Sequence, residues 1–225
     1  PRQNNIVHAI NGDLRPRLEA VSFSPIVMRP SGALITNSEQ ARTFAMRNNA
    51  TIIIWGSYDE GAIDLHIDFG TLDKFPHIAF DTDFLETIAS VQVSVSDLRT
   101  QTIAPYVLST LGILYGADGD AYNYMKMAGL FQNLVDQSRA QLVTGSVNAH
   151  MHRAFLLHLE DTEAAIDELE AALALDGTNP MIFAMLSLAN ARLGDVEAAV
   201  RDANTAANLG PDAWAIPLYT RSVTA

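Results

Sequence analysis

The sequence predicts an α+β protein in which a small N-terminal α/β domain is followed by an all-α array of about three helix pairs. Helical and strand-like patterns alternate in the first part of the chain. In the second half, one segment occurs twice in similar form, 34 residues apart. The 48% of hydrophobic residues allows a substantial core, and 225 residues suggest two units. We place the α/β domain at residues 1–72, a linker or connecting helix at 73–104, and the array with a partial closing helix at 105–225.

The α/β domain begins with apolar residues at helical spacing over 6–18 and a strand-like segment over 22–30. The stretch NSEQARTFAMRNN then predicts a helix that begins after Asn37 or Ser38, because both side chains can cap a helix N-terminus. This order of elements predicts a small domain of mixed helix and strand.

A β-hairpin is the clearest element of the first half. A buried strand over Thr51–Trp55 is followed by the turn-rich SYDEG and by AIDLHIDF, in which apolar and polar residues alternate. The alternation places Asp64, His66 and Asp68 on the side of the strand away from the core. Such a row could bind a cation or hold a proton, and the alternative is an ordinary solvated strand face.

The repeated stretch covers Leu159–Pro180 and, one period later, Leu193–Asp212. The two copies agree at Leu159/Leu193, Asp161/Asp195, Glu163/Glu197, Ala164/Ala198, Ala165/Ala199, Ala172/Ala206 and Leu175/Leu209. The aspartate suits a helix N-cap, and the alanines allow two helices to cross closely. Each copy therefore predicts a helix, a tight turn and a second helix.

A weaker copy precedes these two and contains Leu111-Gly112 and Gly119-Asp120, with Tyr124 where the others have alanine. Because Asp120 and Asp161 are further apart than one period, we expect a seven-residue insertion near 138–146. The three predicted units span 105–137, 146–179 and 180–212. A closing helix would begin in 211–225, where Pro217 is expected to interrupt it.

The 34-residue period resembles the tetratricopeptide repeat (TPR) family, whose antiparallel helix pairs stack into a solenoid. The resemblance covers roughly the second half of the chain. It implies a concave groove, lined by the first helix of each unit, that binds a helix or an extended peptide of a partner. The candidate groove residues are Tyr106, Ser109, Ile113, Val147, His150, Ala154, His158, Met181, Ala184, Leu188 and Arg192. Some family members hold a C-terminal carboxylate with Lys, Asn and Arg, and of that set only Arg192 is present here.

The helix followed by Asn-Ala-Thr-Ile-Ile-Ile-Trp-Gly at 49–56 and a second strand resembles the small N-terminal α/β domain of the TolB type. Similar modules precede repeat arrays in bacterial signalling proteins. This resemblance implies that the N-terminal domain senses a ligand or a partner.

The composition and the absence of known motifs limit which partners, cofactors and active sites this chain can have. A net charge of −12 repels phosphate backbones and anionic lipids, so nucleic acid and membrane surfaces are poor partners. Without cysteine there are no disulfides or thiolates, and no run of about 20 apolar residues predicts a membrane helix. There is no Walker loop, G-x-S-x-G or H-E-x-x-H, and the histidines at 150, 152 and 158 are not expected to converge. We therefore expect no cofactor, and either a cytoplasmic protein or an exported mature domain.

The sequence favours a non-enzymatic scaffold whose groove binds a protein partner. The alternatives are a regulatory fragment of a larger signalling protein, in which the α/β domain senses and the repeats relay, and an enzyme that uses the Asp64/His66/Asp68 row. Two further alternatives concern the repeats themselves. The N-terminal domain or the closing helix could fill the groove, and repeat ends can self-associate.

Overall fold

The computed structural model describes residues 12, 14–16, 31–58, 63–95, 103–130, 141–142, 145–212 and 214–223. In these residues the protein is α+β, mostly helical with a small antiparallel sheet. The helices are α1 (Ser38–Arg47), α2 (Thr82–Ala89), α3 (Ala104–Ala117), α4 (Ala121–Leu130), α5 (Val147–Leu157), α6 (Thr162–Leu175), α7 (Pro180–Leu193), α8 (Val196–Leu209) and α9 (Ile216–Val223). The strands are β1 (Ile52–Tyr58), β2 (Ile63–Phe69), β3 (Val91–Val95) and β4 (Gln141–Leu142).

The predicted hairpin is present as β1 and β2, which pair antiparallel with Ile54 opposite Ile67. Leu65, Ile67 and Phe69 are buried, as the alternation predicts. The preceding helix α1 is capped by Asn37, whose side chain accepts a hydrogen bond from the Gln40 backbone N–H. The predicted strand over 22–30 lies outside the described residues. So does the helix over 6–18, apart from residues 12 and 14–16, which have helical backbone.

Residues 73–95 of the segment predicted as a linker or connecting helix, 73–104, pack with the sheet. They contain α2 and β3, and β3 pairs with β2 so that Val93 lies opposite Leu65. The sheet order is β1-β2-β3-β4, and β4 comes from the expected insertion near 138–146. The pairing of such a short strand depends on a partner that its own sequence pattern does not reveal.

The helices of the second half pack in consecutive pairs, α3 with α4, α5 with α6, and α7 with α8, and α9 packs on α8 and α7. Pro217 is the second residue of α9, so it stands in the first turn, where the missing N–H has no helical partner in any case. The expected interruption of this helix by Pro217 is wrong for that reason.

One hydrophobic core joins the sheet to the helices. It extends from Ile67 in β2 through Leu108 in α3 to Phe155 in α5 and Ile182 in α7. The α/β unit and the helix pairs therefore share their interior.

Candidate functional site

The second and third helix pairs have matching local structure at matching residues. The side chain of Asp161 accepts a hydrogen bond from the Ala164 backbone N–H at 3.0 Å, and Asp195 accepts from Ala198 at 2.9 Å. The alanines at the predicted crossings are all fully buried, namely Ala165, Ala172, Ala199 and Ala206. Identical residues one period apart thus make identical caps and identical close helix crossings.

The first helix pair shares the cap but differs at the crossing. Asp120 accepts a hydrogen bond from the Asn123 backbone N–H at 2.9 Å, as the other two aspartates do from their own partners. Tyr124 then occupies the alanine position, is buried, and packs edge-on against Phe155 with 5.0 Å between ring centroids. The large ring fixes this pair against α5.

Glycines on α3 allow the first pair to approach the other helices closely. A Cβ atom on Gly112 would overlap the ring of Phe155, and one on Gly116 would overlap Cε of Met181. The indole N–H of Trp214 donates a hydrogen bond of 2.7 Å to the Gly116 carbonyl. The first pair therefore contacts the second pair, the third pair and the closing segment, whereas units of a solenoid contact only their neighbours.

Most residues that the resemblance assigns to the groove are interior. The buried ones are Tyr106, Ser109, Ile113, Ala154, His158, Met181, Ala184 and Leu188. Val147 and His150 are half-buried, and Arg192 is exposed. Residues of the α3–α4 pair lie against Met181 and His158, so in this structure the groove residues do not form an open channel.

A buried serine–histidine pair joins α3 to α5. The Ser109 hydroxyl and Nδ1 of His152 are 2.5 Å apart, and both residues are fully buried. Burial lowers the pKa of His152 to about 3, although the nearby Ala89 backbone acts in the opposite direction. With no exposed surface this neutral pair has a structural role and no access to a substrate.

His158 is buried beside the first pair. Its ring lies edge-on to Tyr124, with 6.2 Å between centroids. Burial, and to a lesser extent the charge of Arg192, lowers the pKa of His158 to about 4. Nε2 of His158 and the Tyr124 hydroxyl are both buried without a hydrogen-bond partner among the described residues.

The remaining polar groove residues are engaged within the chain. Glu168 accepts hydrogen bonds from Arg153 and His150 at 2.9 and 2.7 Å. Burial raises the pKa of Glu168, but these two partners outweigh burial and the net shift is downward. Arg192 donates to the Leu159 carbonyl at 3.1 Å and to the Thr162 hydroxyl at 3.2 Å, so it ties the third pair to the second.

The Asp64, His66 and Asp68 row does share one face of β2, but two of its members have structural partners. The Trp55 indole N–H donates to Asp68 at 2.6 Å, and the His66 ring stacks on Trp55 at 4.2 Å between centroids. Asp68 is buried, contrary to the expectation of a solvated face. The row therefore supports the hairpin.

The described residues offer neither a metal cluster nor a membrane-spanning helix. Among them no group of three or more His, Asp or Glu side chains is arranged to hold a metal ion. In the same part of the chain, every helix is too short or too polar to cross a membrane.

Two residues that matter to this arrangement had weak signals in the sequence. Tyr124 stands out only as an aromatic residue at a repeat position that otherwise holds alanine. Trp214 lies one period after Pro180, at the start of the closing segment. A departure from the repeat at an aligned position is thus the signal that marks both of them.

No protein-family model matches the chain, and no curated protein and no solved structure matches it.

Proposed function

We propose that this chain is a non-enzymatic scaffold of the tetratricopeptide-repeat type that mediates protein–protein contact. The observation that carries the proposal is the equivalence of the pairs α5–α6 and α7–α8. Their aspartate caps, buried alanines and helix pairing recur with the 34-residue period. Short helix pairs that repeat in this way form extended surfaces, which proteins use for recognition.

The polar side chains support a scaffold more than an enzyme. The Ser109–His152 pair is sealed in the core, and Asp68 of the β2 row accepts the indole N–H of Trp55. General acid–base catalysis requires a titrating group within reach of a substrate, and the sealed Ser109–His152 pair does not meet that condition.

Binding by this scaffold involves surfaces that remain accessible. Of the groove residues in the resemblance, only Val147, His150 and Arg192 are not buried. The partner is therefore expected to contact the rim at these residues or the outer edges of the repeats. A partner that needed the whole groove would have to displace the α3–α4 pair.

The test is quantitative affinity capture from the source cells with the full chain, followed by a binding measurement with purified partner. We expect a stoichiometric partner that binds at micromolar Kd or tighter, as roughly expected for a specific interface. Val147→Glu probes the rim, and Glu170→Lys, on the exposed side of α6, is the matched control. Absence of any stoichiometric partner would contradict the proposal.

The second candidate is a regulatory fragment in which the α/β unit senses and the helix pairs relay. The continuous core and the Trp214–Gly116 hydrogen bond favour it, because the core links the two halves and the hydrogen bond links the first pair to the closing segment. A ligand of the α/β unit should then change amide exchange in α7 and α8, whereas a simple scaffold would not transmit such a change.

A further inference from the structure

We propose that the turn between α7 and α8 is a docking surface for the end of a partner helix that carries an apolar side chain and an arginine or lysine. The surface, here called the outer corner, consists of Leu193–Val196. This proposal rests on the proposed scaffold function and names the partner's chemistry.

The equivalent turn of the second pair shows what covers such a corner. This inner corner is Leu159–Thr162, and the last turn of α7 lies over it. Arg192 donates hydrogen bonds to the Leu159 carbonyl and the Thr162 hydroxyl at 3.1 and 3.2 Å. As a result Thr162 is only 9% exposed.

The outer corner has the same place in its own pair but is open. Leu193 is 49% exposed and Val196, the counterpart of Thr162, is 48% exposed. Two large apolar side chains therefore stand together in solvent where the repeat places an interface.

The position of α9 shows from which direction a helix end would reach this corner. α9 packs on α8 as α7 packs on α6, and Ile216 is buried like its counterpart Ile182. The described part of α9 ends at Val223, the counterpart of Ala189. A helix end that continues this path would cover the outer corner as α7 covers the inner one.

Charge and polarity define the occupant. Asp195 and Glu197 are exposed beside Leu193 and Val196, so a cation is favoured. Val196 has no hydroxyl to accept a second hydrogen bond, which makes the contact more apolar than that of the inner corner. The net charge of −12 opposes a second copy of this acidic chain and favours a basic partner.

The first experiment fills the corner in cis by appending the dipeptide Arg-Leu after Ala225, so that the new arginine stands one period after Arg192. We expect Tm to rise by about 2 °C or more and amide exchange at residues 196–199 to slow by about fivefold. Glu-Leu in place of Arg-Leu should give less than half of each effect. A Leu193→Ser/Val196→Ser double variant with the Arg-Leu extension should show neither. If the Arg-Leu extension changed neither Tm nor amide exchange, or if Arg-Leu and Glu-Leu had equal effects, the proposed apolar and cationic occupant would be overturned.

The second experiment tests the corner in trans, with a partner that the full chain captures. Val196→Lys and the Arg-Leu extension should each weaken its binding by about tenfold or more, since the lysine repels the cation of the partner and the extension fills the surface. Leu175→Lys is the matched control, because Leu175 is a similarly exposed leucine at the opposite end of a helix pair. Equal binding by all variants would overturn the outer corner as the site.

Sedimentation velocity tests whether a second copy of the chain, instead of a different partner, occupies the outer corner. A dimer of the wild-type chain that Val196→Lys dissociates would assign the corner to a second copy and overturn the partner proposal. If the wild-type chain captures no partner at all, the scaffold function fails, while the response to Arg-Leu still reports on the corner. If a partner is captured but binds both corner variants as tightly as the wild-type chain, the outer corner is not its site, and only the present inference fails.

Discussion

The pairs α3–α4 and α7–α8 begin from similar turn signals and end in different surroundings. Both place an aspartate at the start of the second helix, where its side chain accepts a backbone hydrogen bond. Nearly every residue of α3 is buried, so it is a central core helix. In the third pair α7 is buried from Pro180 to Ala189 apart from one half-buried residue and is exposed only at its last turn, whereas one face of α8 is exposed to solvent.

The difference teaches that the turn and cap specify a helix pair, while side-chain volume decides where that pair packs. Tyr124 replaces an alanine and reaches Phe155, and Gly112 and Gly116 let α3 come close to the other helices. Four predictions test this contrast, from the largest expected effect to the smallest.

Tyr124→Ala should lower the free energy of unfolding by about 3–5 kcal/mol, the usual cost of removing a large buried aromatic side chain. The loss arises because the ring fills the contact between α4 and α5. Urea denaturation followed by circular dichroism measures it. Tyr122→Ala is the control on the same helix, since Tyr122 is 71% exposed, and it should change stability by less than about 0.5 kcal/mol.

Tyr124→Phe distinguishes the contribution of the aromatic ring to stability from that of the hydroxyl. Because the buried hydroxyl has no hydrogen-bond partner among the described residues, removing it should leave stability unchanged or slightly higher. A loss as large as that of Tyr124→Ala would show that the hydroxyl, and not the ring, holds the first pair in place.

Stability should fall as the pH drops below about 6.5, the ordinary histidine pKa in an unfolded chain. His152 and His158 have folded-state pKa values lowered to about 3 and about 4, so the unfolded chain binds more protons in this range. Each histidine then costs about 1.4 kcal/mol between pH 7.5 and pH 5.5, so the two together cost about 3 kcal/mol over this range. Urea titrations at these two pH values measure the loss.

Replacing one of the two histidines tests the assignment. His158→Gln should remove about half of the pH dependence, because glutamine carries no titrating group in the place of the buried imidazole. An unchanged pH dependence in His158→Gln would mean that other groups cause the acid sensitivity.

Ala199→Leu should destabilise the protein by about 1–3 kcal/mol through overpacking, because Ala199 is fully buried where α7 and α8 cross. Ala165→Leu in the second pair should cost a similar amount if the two crossings are equivalent. Thermal denaturation compares the two variants with Ala174→Leu, a control on the exposed side of α6. A measurable cost at one crossing and none at the other would break the equivalence.

The aspartate caps should have the smallest and most uniform effects. Asp120→Ala, Asp161→Ala and Asp195→Ala should each cost about 1 kcal/mol, since each removes one hydrogen bond to a helix N-terminus. Asp167→Ala, within α6 and exposed, is the control and should be nearly neutral. Urea midpoints measure all four, and a markedly larger loss for Asp120 would show that its cap also fixes the packing of α3.

The sequence by itself determined the local elements. The alternation in AIDLHIDF predicted β2, the Asn37 cap predicted the start of α1, and the 34-residue period predicted two equivalent helix pairs. These features depend on side-chain periodicity and hydrogen bonds between near neighbours, which a sequence states directly.

Only the tertiary structure decided how the elements meet. Residues 91–95 became a sheet strand because β2 offered a partner, and the insertion near 138–146 returned the chain to that sheet as β4. The expected groove became interior because Tyr124, Gly112 and Trp214 let the first pair pack against the others. Such contacts join residues as distant in the chain as Gly116 and Trp214. They depend on how closely side chains of different size pack against each other, which no local sequence pattern encodes.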